Sequence, residues 1–167
     1  MKKTSVFLCV TILLCLLVSS CSSNTYTVVN DGEETWQPDV HNETMVATDE
    51  NGDVAFWSPF LQTIIGNSVR GVSFTIHTCE PGIYSGTFDT ENQKWSTDAI
   101  SYLRMTIDYD GTMYPEWYGQ SATLTIHKYN KLSKKINATL EAVVVKSGTT
   151  ETRNIKVEMK NLVLNIR

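Results

Sequence analysis

The stretch "ATLTIHKYNKLSKKINATLEAVVV", residues 122–145, decides the fold class of this chain. Apolar and polar residues alternate in its first and last thirds, and the polar segment NKLSK separates the two runs. In the second run Ile136, Ala138 and Leu140 share one face, and Asn137 lies on the other. This period of two is typical of a half-buried strand. The stretch therefore predicts two strands joined by a polar turn.

The same alternation continues toward the C-terminus. In "RNIKVEMKNLVLNI", residues 153–166, the apolar residues Ile155, Val157 and Met159 follow a period of two. The pattern then resumes in the opposite phase. Because one inserted residue exchanges the two faces of a strand, we expect a β-bulge near Lys160–Asn161.

Strand and turn patterns also fill the middle of the chain. Residues 69–78 and 101–109 alternate, and Asn51-Gly52 and Pro81-Gly82 are turn signals. The segment "PFLQTIIGNS", residues 59–68, permits one short helix or a loop. With no convincing helix longer than about 12 residues, the sequence predicts an all-β fold, an antiparallel β-sandwich or flattened barrel. A lipocalin-like closed barrel is the alternative.

The N-terminus has the features of a signal peptide. After a short basic start, the run Val6–Val18 contains only one polar residue, and it is too short to cross about 30 Å of hydrocarbon as a helix. Val18-Ser19-Ser20 then precedes Cys21, a pattern that resembles a bacterial lipobox. It predicts that residues 1–20 are a cleaved signal peptide and that Cys21 carries the lipid.

The remaining chain divides into a tether and a domain. Residues 21–43 are expected to be the lipidated cysteine and a flexible polar tether, spanning about 25 Å on average. Alternatively, Val28, Val29 and Trp36 dock onto the domain as an edge segment, and both interpretations remain open here. Residues 44–167 are expected to form a single β domain.

Cysteine and charge counts exclude several classes of protein. Cys9 and Cys15 leave with the signal peptide, and lipid occupies Cys21. Cys79 therefore has no partner for an intrachain disulfide and cannot form a cysteine zinc site alone. The mature chain has 12 basic and 18 acidic residues, which disfavours nucleic acid as a partner. Its acidic excess lies before Ser121 and its basic excess after it, so the two parts either offset each other or form two charged surfaces.

Three segments resemble a known group of proteins. "GQSATLTIHKYNKLSKKINATLEAVVV" (119–145), "IKVEMKNLVLNI" (155–166) and, weakly, "PGIYSGTF" (81–88) look like the closing segments of small Bacteroidota-type envelope lipoproteins of unknown function. Asn137-Ala138 departs from that pattern, which tends to have a small residue or Gly there. The resemblance implies an exported all-β domain and carries no known catalytic residue.

No motif for catalysis or metal binding stands out. His77 and His127 lie on the polar faces of predicted strands, and they could hold a metal only if those strands were neighbours. The segment GNSVRG lacks the second glycine of a hydrolase elbow. We therefore expect no enzymatic activity, no metal and no cofactor.

Aromatic residues are the candidate binding residues. Tyr114, Trp117 and Tyr118 crowd a turn-like segment around Pro115, and Trp57 lies in FWSPF. Their flat faces with polar edges suit a glycan, a small apolar ligand or an envelope protein, or they pack over the end of the core.

The turn of the first hairpin is basic. Lys128, Lys131, Lys134 and Lys135 could meet anionic lipid headgroups or acidic glycans, or they simply solvate the turn.

These observations predict a membrane-anchored cell-envelope lipoprotein with a non-catalytic accessory binding module. The alternative is a structural or assembly lipoprotein acting through surface charges. Residues 22–24 lack an acidic run, and the first charges come at Asp31–Glu34. In lipoproteins of the resembled type such a run marks export to the cell surface, so we expect an outer-membrane protein facing the periplasm.

Overall fold

The computed structural model describes residues 25–39, 44–109 and 116–164. All secondary structure in these residues is β, which confirms the predicted all-β class. The strands are β1 (Tyr26–Asn30), β2 (Thr35–Trp36), β3 (Thr44–Thr48), β4 (Val54–Ile65), β5 (Ser68–Ile76), β6 (Gly82–Asp89), β7 (Lys94–Trp95), β8 (Ile100–Tyr109), β9 (Glu116–Asn130), β10 (Lys135–Lys146) and β11 (Thr152–Val163).

The strands form one curled antiparallel sheet. Its hydrogen-bonded order is β2-β1-β11-β10-β9-β8-β5-β4-β3, and β6 joins at β9 and carries β7. The path has two ends, β2 and β3, so the described sheet is a curled half-barrel, consistent with the predicted sandwich or flattened barrel. A closed lipocalin-like barrel has no such ends.

Strand β9 is shared by two halves of the sheet. Its first residues, Glu116–Tyr118, pair with β8, whereas Ser121–Ile126 pair with β6. The register with β10 shifts between Val143 and Val144, opposite Gly119 and Ser121, so Gln120 is an extra residue. We call β3, β4, β5 and β8 the β4 half, and β6, β10, β11, β1 and β2 the β10 half.

The predicted alternation places the core between these halves. Val72, Phe74 and Ile76 of β5 are fully buried, and so are Leu140 and Val144 of β10. Burying this apolar surface is the main favourable term in folding, about 25 cal/mol per Å².

Two local predictions are confirmed. Gly52 has a φ of 79° in the turn between β3 and β4, as the Asn51-Gly52 signal requires. Ile136 of β10 pairs with Leu162 of β11, but Ala138 pairs with Met159, so β11 has one extra residue between them. Asn161 in this interval has a φ of 53°. The predicted bulge therefore lies at Lys160–Asn161.

The segment 59–68 is neither a short helix nor a loop. Strand β4 continues to Ile65 and turns at Gly66, whose φ is 62°. Pro59 has no N–H to donate within the strand, and the neighbouring Ser58 hydroxyl donates to the Phe74 carbonyl at 2.9 Å. This side-chain bond allows β4 to run through a proline.

The predicted boundary between tether and domain is wrong. Tyr26–Asn30 pair with β11, and Val29 and Trp36 are 0% and 6% exposed. Their apolar side chains are more stable in the core than in a solvated linker, so the edge-segment alternative holds. The domain therefore begins by Tyr26 and not at Thr44. Only three residues lie between Thr25 and Cys21, which is outside the described residues.

The N-terminal segment also joins the two ends of the curled sheet. Asp31, after β1, forms an ion pair with Arg70 of β5 at 2.6 Å. The Asp39 N–H donates to the Gln62 carbonyl of β4 at 2.9 Å. We call this junction the seam.

Candidate functional site

Two of the predicted binding residues are part of the core. Trp57 is fully buried, and its indole N–H donates to the Thr78 carbonyl at 2.9 Å. Trp117 is 1% exposed, and the Arg153 guanidinium lies 4.4 Å from its ring centroid. The prediction that Trp57 and Trp117 contact a ligand is therefore wrong, because the large apolar area of each indole is used in packing.

Tyr118 of β9 pairs with Arg104 of β8 and is 41% exposed. Its hydroxyl donates to Glu116, which also pairs with Arg104, and the Arg104 guanidinium lies 6.0 Å from the Tyr118 ring centroid. Tyr118 thus remains available to a ligand. Tyr114, the fourth candidate, lies outside the described residues.

A groove of about 780 Å³ runs over the outer face of the β4 half, beside Arg104. We call it the outer groove. Its exposed apolar side chains are Met45, Phe60, Ile64 and Tyr102. Its polar lining consists of Asp39, Ser58, Gln62, Ser73, Thr75, Arg104 and Thr106.

The strand register explains why apolar and polar groups alternate in this groove. Trp57 and Leu61 of β4 face the core, so Phe60 and Ile64 face outward. Ser73 of β5 pairs with Phe60 on one side and with Arg104 on the other. The small Ser73 side chain therefore lines the bottom of the groove, between the larger side chains of Phe60 and Arg104.

Sequence reasoning missed this groove for an identifiable reason. The segment "WSPFLQTII" is apolar on both faces of its strand, and that pattern also fits a loop or a short helix. Recognising it as a strand would have placed Phe60 and Ile64, which are 52% and 65% exposed, on the solvent side.

The outer groove has two charged residues in its lining, Asp39 and Arg104. Arg104 pairs with Glu116, whose side chain is 30% exposed. The other cationic residues of the described chain do not line the groove. The arrangement thus suits an uncharged ligand that offers both apolar faces and hydrogen-bonding groups.

A second depression, of about 740 Å³, lies on the outer face of the β10 half. Its lining is mostly small and polar, including Ser85, Thr123 and the pair Lys156–Glu141 at 3.8 Å. None of the exposed large apolar side chains in the described residues lines it. It therefore offers no large exposed apolar side chain on which a ligand could stack.

The seam contains a buried carboxylate, that of Asp31. Burial raises the pKa of Asp31, but hydrogen bonds from the Glu34 N–H, Arg70, the Glu33 N–H and the Trp36 indole hold it below its ordinary value overall. The Trp36 indole donates at 3.0 Å and the Arg70 guanidinium at 2.6 Å. Every one of these donors comes from the fold itself, so the cluster holds the N-terminal segment and is not an open site.

The histidines do not come together. His77 follows β5 and His127 lies in β9, and β8 separates these two strands. Each ring instead meets a hydroxyl: His77 Nε2 lies 2.6 Å from Ser101 Oγ, and His127 Nε2 lies 3.0 Å from Thr139 Oγ1. Within the described part of the chain, no three His, Cys, Asp or Glu side chains gather closely enough to hold a metal ion.

Cys79 is 9% exposed, and burial raises the pKa of its thiol to about 11. A thiol with this pKa carries almost no thiolate near neutral pH, and the thiolate is the reactive form. Cys79 therefore acts as a small core residue.

Comparison of the chain with protein-family models, with curated proteins and with solved structures found no match. Among residues 25–39, 44–109 and 116–164, no helix is long and apolar enough to cross a bilayer. The assignment of a function therefore depends on the surfaces described above.

Proposed function

We propose that this chain is a lipid-anchored envelope protein without catalytic activity, and that its β domain binds a neutral carbohydrate chain in the outer groove. One observation carries the proposal. Of the nine exposed large apolar side chains in the described residues, four line this one groove.

Carbohydrates match the chemistry of this lining. A sugar ring has an apolar C–H face, which stacks on aromatic side chains, and a rim of hydroxyls that need hydrogen-bond partners. Phe60 and Tyr102 offer such faces, and Ser73, Thr75 and Gln62 lie beside them. The groove runs across an outer sheet surface, so it cannot enclose most of a small apolar ligand as such sites usually do.

The anchor is proposed from the N-terminal sequence. Signal peptidase would remove residues 1–20, and acyl chains on Cys21 would hold the domain at the membrane. We place it at the outer membrane, facing the periplasm. The resemblance to Bacteroidota-type envelope lipoproteins supports the same location and stays a prediction.

The alternative function, an assembly protein that works through surface charges, has weaker support. Many surface charges are already paired within the chain, such as Lys156 with Glu158 at 2.8 Å and Lys146 with Glu151 at 3.3 Å. Arg153 and Glu33, at 2.6 Å, join the basic and acidic parts of the sequence. A charge-driven partner would dissociate as salt shortens the screening length below about 8 Å.

The groove is tested with the variant Phe60→Ala/Tyr102→Ala. Calorimetric titration of the full chain with cellohexaose, xylohexaose and maltohexaose should find binding to at least one. The double variant should weaken it by about thirty-fold or more, since a contacting aromatic residue contributes about 2 kcal/mol when it is a hot spot.

Ile83→Ala is the matched control for this experiment. Ile83 is 72% exposed, but it lies on β6 in the other half of the sheet. It should bind the hexasaccharides as the unchanged chain does. The carbohydrate proposal is rejected if none of them binds, or if the double variant binds as tightly as the control.

A further inference from the structure

The start of β1 limits how far the domain can lie from a lipid anchor. Three residues, 22–24, lie between Cys21 and Thr25. The four steps from Cys21 to Thr25 span at most about 14 Å, since a fully extended chain covers about 3.5 Å per residue. The polar headgroup layer of one leaflet takes up about 5–8 Å of this length. Thr25 is therefore held within about one screening length, about 8 Å, of the membrane surface.

The turn between β9 and β10 projects from the same end of the domain. Thr25 Oγ1 lies 3.4 Å from the Asn161 carbonyl, which sets its level along β11. The Leu164 N–H donates to the Lys134 carbonyl at 2.8 Å, three residues further along. At about 3.3 Å per residue, the turn extends about 10 Å past Thr25, in the direction from which the chain enters.

The tip of this turn has the composition of a membrane-contacting segment. Leu132 is 98% exposed, the highest exposure among the large apolar side chains of the described residues. Lys134 lies in the same turn, Lys128 and Lys135 lie on the two strands that the turn joins, and Lys160 lies on β11 opposite Tyr26. No carboxylate of the described residues forms an ion pair with these four lysines.

A notch of about 250 Å³ lies between the lysines. Its lining consists of Lys128, Asn130, Ser133, Lys135, Asn137 and Asn161, and contains no carboxylate. Lys128 pairs with Asn137 and Lys135 pairs with Asn130 across the hairpin, so the two ammonium groups lie on a diagonal of one face. Ammonium, amide and hydroxyl donors around a small depression suit the phosphate of a lipid headgroup.

Acidic residues are also present at this end, but on its other side. Asp53, in the turn between β3 and β4, pairs with Lys131 at 3.1 Å. Asp49 and Glu50 belong to the same turn, and Glu80 also acts on Lys131. They offset Lys131 and leave the notch side positive.

We infer that the β9–β10 turn lies on the membrane surface, with Leu132 inserted among the headgroups and an anionic lipid phosphate in the notch between Lys128 and Lys135. This inference rests on the proposed lipid anchor at Cys21. It replaces a domain suspended on a long tether with a domain docked at one end, and it leaves the outer groove exposed along the side of the molecule.

The test uses the full chain reconstituted in vesicles of phosphatidylethanolamine and phosphatidylglycerol. A fluorophore is attached at Ser133→Cys beside the tip, or at Thr150→Cys in the exposed turn at the opposite end. Quenching by brominated lipids should be strong at position 133 and weak at position 150. The buried Cys79 does not take the label.

Two variants on the Ser133→Cys background separate the contributions. Lys128→Gln/Lys135→Gln should lower the ratio of docked to undocked domain by about 25-fold, since each lysine near an anionic surface contributes about five-fold. Leu132→Ser should lower it by about ten-fold through the lost apolar contact. The matched control, Lys94→Gln/Lys156→Gln, removes the same charge away from this end and should leave quenching unchanged.

The outcomes separate this inference from the anchor itself. The mass of the N-terminal peptide shows whether Cys21 is acylated. An unacylated Cys21 overturns both the proposed lipid anchor and the docked orientation. An acylated chain with equal quenching at positions 133 and 150 overturns the docked orientation alone. The docked orientation is also overturned if Lys128→Gln/Lys135→Gln reduces quenching no more than the control pair does. The same holds if quenching at position 133 is as strong in vesicles that lack phosphatidylglycerol as in vesicles that contain it.

Discussion

Asp31→Asn is the substitution that most directly tests how the N-terminal segment is held. The Asp31 side chain is 1% exposed, and its carboxylate faces the Arg70 guanidinium, whose side chain is 6% exposed. The amide side chain introduced by this substitution can still accept the turn hydrogen bonds from the Glu33 and Glu34 N–H groups. The substitution removes the negative charge that lies 2.6 Å from Arg70, whereas the half-exposed Glu33 and Glu34 stay at 3.5 and 3.7 Å.

The expected cost is about 3 kcal/mol of unfolding free energy. Removing one partner of a buried ion pair costs about 3–5 kcal/mol because the other charge stays buried, and the retained turn bonds place this case at the lower end. For a domain of this size, a loss of that magnitude lowers the melting temperature by about 10 °C. Urea unfolding followed by tryptophan fluorescence measures it, since Trp36 lies against Asp31.

Asp89→Asn is the matched control. Asp89 accepts the same pair of turn bonds, from the Glu91 and Asn92 N–H groups at 2.9 and 3.1 Å, but it is only partly buried. The control should unfold nearly as the unchanged chain does. If Asp31→Asn costs no more than Asp89→Asn, the ion pair does not hold the seam. Recovery of stability in Asp31→Leu/Arg70→Met would show that the loss comes from the buried Arg70 charge that faces position 31.

Two further predictions concern the same domain. The folded state holds the pKa of Asp31 below its unfolded value of about 3.9, so the unfolded chain binds more protons in acid. The stabilisation from Asp31 is therefore present above about pH 4 and is lost as the pH falls through the folded-state pKa. Acid unfolding of Asp31→Asn should accordingly have a shallower pH dependence than that of the unchanged chain. Gly119→Ala should lower the free energy of urea unfolding by about 1–3 kcal/mol through overpacking, because the added Cβ would lie 2.7 Å from Trp95 and 2.9 Å from Leu103. Gly71→Ala, whose nearest contact would be at 3.6 Å, should not destabilise the chain. Equal stability of the two variants would contradict the close packing at Gly119.

Local patterns were enough to predict much of the sheet. The alternation in β10 and β5 identified the inward residues, and the phase change after Met159 located the bulge at Lys160–Asn161. These features depend on near neighbours in the chain, and the period of two reports them directly.

Long-range pairing was beyond such patterns. Val28, Val29 and Trp36 look like scattered apolar residues in a polar segment, and they become a strand only because β11 offers them an edge. The candidate site failed for a related reason. Trp57 and Trp117 are aromatic residues near prolines, but only the tertiary packing shows that they face inward while Phe60 and Tyr102 face outward.

The pairing of the first strand with the last has a consequence for biogenesis. Tyr26 pairs with Lys160, so β1 must wait for nearly the whole chain before it finds its partner. Pairings between residues so distant in sequence form slowly because of the entropy of closing the loop. On the export route that we propose, a chain whose N-terminal strand cannot pair early remains unfolded while it is threaded through the membrane. The domain would then complete its sheet, and close the Asp31–Arg70 contact, only after its C-terminal strand has arrived on the far side.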